Sequence, residues 1–354
     1  MARQRSPLLV DAEKARQDRE FLEAMSTDVG GDEKTQNRAK LILALADGQD
    51  LATAARRIGM SVGTARAKVR DFNANGWTGL LSIQPPRGGD FLARYDLGFW
   101  AERLTRVCLD QSREYRAIPY GTSRSEPFTD MQAFRQYRQT EFQLQTWSAQ
   151  GRWKRPDLLM VARSFLRREQ GNDIWTPDLQ HLDNDHCRAY VEQAAAGIEV
   201  ETSLWEVKKA VQAGVALSFT VKEEDLQALR NWVRRNEVPL FIVQVFYDEA
   251  HALPFETLEH LIGLPRRDRR RIEGKRDPTT KKVTYMIPLR EGVLLGSISE
   301  PEVEGKIFKA PNGRVTVYGR LAGSEIVLAD ATVLDRLAAG TLEVGLAKEN
   351  EEDQ

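Results

Sequence analysis

The chain has 354 residues, long enough for two or three domains that each bury a core of their own. Its 51 basic and 52 acidic side chains nearly cancel, so any nucleic-acid contact must come from local patches and not from net charge. Two cysteines, Cys108 and Cys187, and four histidines (His181, His186, His251, His260) without zinc-ligand spacing exclude a disulfide scaffold and a zinc module. No apolar stretch reaches the roughly 18 residues of a membrane span, and the N-terminus lacks a signal-type apolar core, so the expected location is the cytoplasm.

Residues 11–28 read as one charged helix. Ala39, Ile42, Leu43 and Leu45 mark a helix closed by Asp47-Gly48, Asp50 caps a second with Ala54, Ala55 and Ile58 inward, and Ser61 caps a third after the Gly59 turn. On that third helix Ala65, Val69 and Phe72 share a face, which leaves Thr64, Arg66, Lys68 and Arg70 outside the apolar stripe. Two short helices joined by a Gly turn, the second basic, predict a helix-turn-helix over about 33–80, with Ser61, Thr64, Arg66, Lys68 and Arg70 as DNA contacts. Pro85-Pro86-Arg87-Gly88-Gly89 is the clearest linker. Helices are expected over 96–108, 129–148 and 183–196, the last ending at Gly197. Thr220 and Glu223 have the spacing of a capping box for a helix through about Arg235, and Leu240–Tyr247 reads as a buried strand. Beyond Pro265 a basic run (Arg266, Arg267, Arg269, Arg270, Arg271, Lys275, Arg276) is either a solvated loop or a phosphate-contacting segment. Short strands follow over 283–289, 292–298, 305–308, 314–318 and 325–328, then an acidic tail.

The chemistry is concentrated between Lys154 and Lys209. Asp157 follows Pro156 at the head of an apolar run, where its backbone need not continue a ladder. Glu199 and Glu201 alternate with Ile198 and Val200, so in a strand both carboxylates leave the same face and repel unless a cation lies between them. Glu206-Val207-Lys208 has the textual form acid-x-Lys. However, Leu204, Val207 and Val211 recur at helical spacing and Ser203–Glu206 has capping-box form, which makes Glu206 a helix cap. Carboxylates on adjacent strands suit Mg²⁺, a hard cation that keeps several waters and can be held by one or two protein acids. Such an ion activates water and neutralises charge developing on a phosphodiester.

With these residues in hand, two resemblances become specific. Residues 33–89, including Gly76-Trp77-Thr78-Gly79-Leu80, resemble the helix-turn-helix of insertion-sequence transposases. Residues 95–330 resemble the PD-(D/E)XK superfamily of type II restriction endonucleases, and most of all its AccI family. The residues that carry this are Pro119-Tyr120-Gly121-Thr122-Ser123-Arg124, Lys154-Arg155-Pro156-Asp157-Leu158-Leu159, Gly197-Ile198-Glu199-Val200, Leu217–Asp225 and Pro239–Asp248. The resemblance implies a Mg²⁺-dependent nuclease with Asp157 and Glu199 as metal ligands. Glu201 stands where the superfamily usually has lysine, and Lys208, Lys209 or Lys222 could supply the charge. Glu141 is a further candidate acid, and Arg124, Lys154 and Arg155 are candidate DNA contacts.

The expected architecture is α/β (α+β): a restriction-endonuclease-like mixed sheet flanked by helices, preceded by an all-α helix-turn-helix domain. The divisions are 1–89, a nuclease core over 90–265, a β-rich extension over 266–347 and a disordered tail over 348–354. The function implied is sequence-specific cleavage of double-stranded DNA by a homodimer, with a cognate DNA methyltransferase as functional partner. The alternatives are a transposition-associated nuclease subunit and a non-catalytic DNA-binding regulator on a nuclease fold.

Overall fold

The computed structural model describes residues 10–27, 33–80, 89–121, 132–137, 139, 154–171, 173, 177–180, 182, 184–278, 281–309 and 315–339. The chain divides into two compact units, one built on the helices up to Leu80 and the other carrying the sheets.

The first unit holds α1 (Ala12–Gln17), α2 (Arg19–Thr27), α3 (Glu33–Ala46), α4 (Leu51–Arg57) and α5 (Val62–Asn75), followed by a 3-10 turn over Gly76–Leu80. Leu22, Met25, Leu41, Ile42, Ala65, Val69 and Phe72 form its core. The single helix expected over 11–28 is instead two, because the chain breaks at Asp18, whose carboxylate accepts the Trp77 amide at 2.9 Å. Asp50 accepts the Ala52 and Thr53 amides, both at 3.0 Å, and Ser61 accepts that of Thr64 at 3.1 Å, so both expected caps are present. Between α4 and α5, Gly59 has φ +69°, which favours glycine.

The second unit opens with α6 (Gly89–Leu109), longer than the segment over 96–108 that the sequence marks. Its main sheet has seven strands in the order β1-β2-β3-β5-β6-β9-β12. These are β1 (Tyr115–Pro119), β2 (Leu158–Ala162), β3 (Ala194–Thr202), β5 (Leu240–Val245), β6 (Glu249–Pro254), β9 (Val293–Ile298) and β12 (Ile326–Leu328). Only the β3–β5 pair is parallel, so the sheet is mixed, and β3 lies inside it instead of at an edge. One face packs Trp100, Leu104 and Cys108 of α6 and Leu334 and Leu337 of a C-terminal helix (Ala331–Ala338) against Met160, Ile198 and Val243. The other packs Leu159, Val161 and Ile242 against α10 (Glu223–Asn236) and α11 (Phe255–Gly263) through Leu226, Leu229, Trp232 and Leu258. With both faces covered, β5 is buried at all six positions, which is why it reads as a continuous apolar run. This is the mixed α/β architecture that the sequence indicates. Helices α7 (Arg163–Gln170), α8 (Asn184–Glu192) and α9 (Val207–Gln212) also lie around the sheet. A three-stranded sheet runs β4 (Ser218–Lys222), β8 (Val283–Pro288), β7 (Gly274–Arg276), and β10 (Glu302–Lys309) pairs with β11 (Val315–Ala322).

Several local expectations differ from what forms. The helix expected over 183–196 stops at Glu192, and β3 begins at Ala194 because Ala194 and Ala196 pair with Val161 and Met160 of β2. Gly197 is therefore a strand residue, and a Cβ there would lie 2.7 Å from the Trp232 ring. Thr220 does not cap α10: it lies in β4 and donates its amide and hydroxyl to Gln244 at 3.0 and 3.2 Å. Glu206 precedes α9 without a side-chain cap bond. Asp248 supplies the cap, accepting the Val207 and Lys208 amides at 2.7 and 3.1 Å, and Leu204 lies outside the helix. Of the helix expected over 129–148, residues 132–137 and 139 are helical, and the rest lies outside the described residues. So do residues 85–88 of the linker expected over 85–89, whose Gly89 instead begins α6, and the tail over 348–354.

Candidate active site

Asp157 is set by its own backbone before its side chain does anything. Its carbonyl accepts the Tyr120 and Gly121 amides at 2.9 and 3.0 Å. A Cβ at Gly121 would come within 2.8 Å of the Asp157 Cα and 3.0 Å of the Pro156 carbonyl, so this close approach needs glycine. Ladder pairing between β2 and β3 ends at Leu158–Ile198, which leaves the Val200 amide beyond the head of β2. The Asp157 Oδ2 accepts that amide at 2.8 Å. A side chain thus continues the ladder and holds the Asp157 carboxylate against the β3 segment that carries Glu199 and Glu201.

Ile198 and Val200 turn toward the α6 face, so by alternation Glu199 and Glu201 take the opposite face, that of α10. Glu199 is only 4% exposed. Its Oε1 receives an ion-paired hydrogen bond from the Lys154 Nζ. Its Oε2 is buried and has no hydrogen-bond partner among the described residues. Burial, then the Asp157 charge, push the Glu199 carboxyl well above its ordinary range, against the pull of Lys154. Glu201 is pushed up to about 7, by burial first; Lys222 and Lys154 oppose the rise and Asp157 and Asp225 add to it. The Lys154 ammonium also lies 3.8 Å from the Asp225 Oδ2 on the first turn of α10. Burial alone would lower its pKa, but Glu199, Asp225 and Asp157 outweigh burial and hold it above the usual lysine range.

Beside Glu201 in the parallel register stands Gln244 of β5, fully buried. Its Oε1 accepts both Thr220 bonds, and its Nε2 has no partner among the described residues. The site therefore holds one buried acceptor and one buried donor without partners, each costing about 1–3 kcal/mol if left so. No group of three or more His, Cys, Asp or Glu side chains among the described residues forms a metal cage. The oxygen donors of Asp157 and Glu199 still suit a hard cation that takes one or two protein carboxylates, and the unpartnered Glu199 Oε2 is where such a ligand would be completed.

The remaining candidates divide clearly. Lys222, exposed at the end of β4, acts on Glu201. Lys208 and Lys209 stand on α9, where Lys209 pairs with Glu206 at 2.6 Å and its other acidic neighbours are Glu300 and Asp248, not the acid group. Arg155 is 6% exposed, bonded to Asn184 Oδ1 and to the Leu179 and Leu182 carbonyls, with its guanidinium over the Tyr120 ring. That enclosure corrects the expectation that it contacts DNA. Glu141 and Arg124 lie outside the described residues. In the helical unit Ser61, Thr64, Arg66 and Arg70 are exposed, the hydroxyls of Ser61 and Thr64 bond to each other at 2.9 Å, and Lys68 pairs with Asp71 at 2.6 Å. Lys154, Asp225 and Gln244 are the members of the acid group that sequence reasoning did not assign there. The one available signal was that all three fall within the stretches carrying the family resemblance.

The family description AccI restriction endonuclease matches the chain in two overlapping segments, residues 82–216 and 203–328. Neither a curated protein nor a solved structure matches it. The matched segments contain Asp157, Glu199, Glu201, Lys154, Asp225 and Gln244 and cover well over half of the sequence, and so the chain belongs to the AccI restriction endonuclease family.

Proposed function

We propose that the protein is a type II restriction endonuclease of the PD-(D/E)XK kind, cutting both strands of duplex DNA at a specific site with Mg²⁺ as cofactor. The observation that carries this reading is the meeting of Asp157, Glu199 and the Lys154 ammonium at one end of the sheet, with the Glu199 Oε2 buried and unpartnered. Asp157 and Glu199 are the residues that would hold the ion. When bound, it would supply an activated water and charge neutralisation at the phosphodiester.

The chain's own groups have separable roles. Asp157 keeps its position because its Oδ2 replaces a ladder acceptor. Glu201, on the same face of β3 as Glu199, is the carboxylate placed to take a proton from the attacking water. Lys154 brings to the acids the positive charge that the acid-x-Lys pattern would have carried at position 201, and it does so from three residues before Asp157. In that role it faces the scissile phosphate and is not a peripheral DNA contact. Arg66 and Arg70, exposed on α5, would add phosphate grip from the helical unit. A homodimer would match a two-fold target and bring one site to each strand, and a cognate methyltransferase would protect the host's own sites.

The test is digestion of a plasmid of known sequence by the purified full chain, with Mg²⁺ and with chelator, followed by mapping of the ends. Discrete ends at a recurring sequence, only with the ion, are expected. An intact plasmid with both Mg²⁺ and Mn²⁺ overturns the reading.

A further inference from the structure

We infer that the β4-β8-β7 sheet, with the basic segment leading into β7, is a wall that grips the DNA backbone as it leaves the cutting site. This rests on the nuclease reading and adds to it the surface along which the duplex lies. Strand register sets the geometry. Lys222 of β4 pairs with Thr284 of β8, and Thr284 pairs with Lys275 of β7. Residues directly opposite in an antiparallel ladder share a face, so Lys222, Thr284 and Lys275 form one row. Thr220, two residues before Lys222, stands on that same face and bonds to Gln244 beside Glu201. Phe219 and Val221 turn the other way, into the core. The face carrying the lysines is therefore continuous with the acid group. At about 4.8 Å between strands the row spans about 10 Å, the axial length of about three phosphates of one DNA strand.

The charges on this wall are available to a partner. Lys282 pairs with Glu224 at 2.7 Å and Lys306 with Glu304 at 2.7 Å. Lys275, Arg266, Arg267 and Arg269, by contrast, are exposed and have no carboxylate within ion-pair distance among the described residues. In a chain whose acids slightly outnumber its bases, this makes a local excess of cations, and the Lys222–Thr284–Lys275 row leads from it toward acids that would otherwise repel a polyanion. The chemistry that fits is a row of phosphodiesters, bound through the backbone and without regard to base sequence.

The experiment measures binding of a short labelled duplex by the full chain in chelator over a range of salt, so that no cutting intervenes. Lys275→Ala and the double variant Arg266→Ala/Arg267→Ala are expected to weaken binding several-fold. Each is expected to flatten the slope of log affinity against log salt by about one unit for each phosphate no longer held. Lys306→Ala, whose ammonium is already paired, is expected to bind as wild type does. A lysine that merely guards an edge strand against pairing would leave the slope unchanged. Unchanged slopes in a protein whose wild type cuts plasmid overturn the wall and leave the nuclease reading standing. A wild type that neither binds duplex nor cuts overturns both.

Discussion

The Asp157 Oδ2 accepts the Val200 amide at 2.8 Å, so the carboxylate at the head of β2 is fixed to β3 between Glu199 and Glu201. This bond combines a structural duty with a chemical one, and two substitutions separate them. Asp157→Asn keeps an oxygen acceptor for Val200 and removes the charge. It is expected to melt close to wild type while cleavage falls by at least roughly 10²–10³-fold, the size of effect seen when one preorganised electrostatic group is lost. Asp157→Ala is expected to lose the same activity and a further ~1 kcal/mol of stability with the hydrogen bond. Cleavage by Asp157→Asn at the wild-type rate would remove Asp157 from the proposed metal site.

Lys154 is the test of how the site does without a lysine at position 201. Lys154→Met is expected to reduce cleavage by roughly 10²-fold or more. It would also cost about 1–3 kcal/mol, because Glu199 is left buried without its donor. Lys154→Arg keeps the charge and is expected to recover stability better than cleavage, since a planar guanidinium does not reproduce a point charge. Duplex binding in chelator should change little in either variant. Full cleavage by Lys154→Met would return the role to Lys222.

Glu201 gives the metal-free protein a pH dependence of definite sign. Its folded pKa is raised from 4.5 to about 7, so between those values the folded chain keeps a proton that the unfolded chain releases. Stability from this group is full below about pH 4.5, falls as pH rises to about 7, and is level above that. Thermal melts in chelator should follow this course, and Glu201→Gln should flatten it and raise the melting temperature most on the alkaline side. A wild-type melting temperature that climbs over the same interval with no contribution from Glu201 would contradict the burial of that carboxyl.

Arg66 puts the DNA-binding role of the helical unit to the test. It is exposed on α5, and Arg66→Ala is expected to weaken duplex binding and flatten its salt dependence without altering the melt. Ser61→Ala, which removes the α5 cap, is the stability control and should cost about 0.5–2 kcal/mol. Unchanged binding by Arg66→Ala would reduce these helices to scaffold.

What the sequence made legible were features with a short period. The alternation Ile198-Glu199-Val200-Glu201 puts both acids on one face whatever the rest of the chain does, and the apolar run from Leu240 declares a buried strand. Features that depend on distant packing were not legible. Ala194–Ala196 favours helix by local propensity, yet it extends β3 because β2 offers a ladder. Strand β6 has Ala250 and Ala252 where strand formers would be expected, and its neighbours decide its state. Gln244 joins the acids only because β5 pairs with β3 in parallel register, and Asp225 only because α10 packs over that end of the sheet, within reach of Lys154. At α9 the cap differs for the same reason: Glu206 stands at the N-terminus, but Asp248, from a turn far along the chain, accepts the first amides.

Gly197 links core packing to the site. A Cβ there would lie 2.7 and 2.9 Å from the Trp232 ring carbons and 3.0 Å from the Pro156 Cγ. Trp232 is fully buried, with its Nε1 donating to the Tyr120 hydroxyl at 3.3 Å, so the ring has little room to retreat. Gly197→Ala is therefore expected to cost about 1–3 kcal/mol by overpacking. Because Pro156 adjoins Asp157, relief in that direction moves the carboxylate, and cleavage should fall even at temperatures where the variant is folded. Gly98→Ala in α6, whose Cβ would meet nothing within 4 Å, is the contrasting case and should stabilise by about 0.5–1 kcal/mol without touching activity. A Gly197→Ala protein that melts and cuts like wild type would show that Trp232 does not hold Pro156 and Asp157 in place.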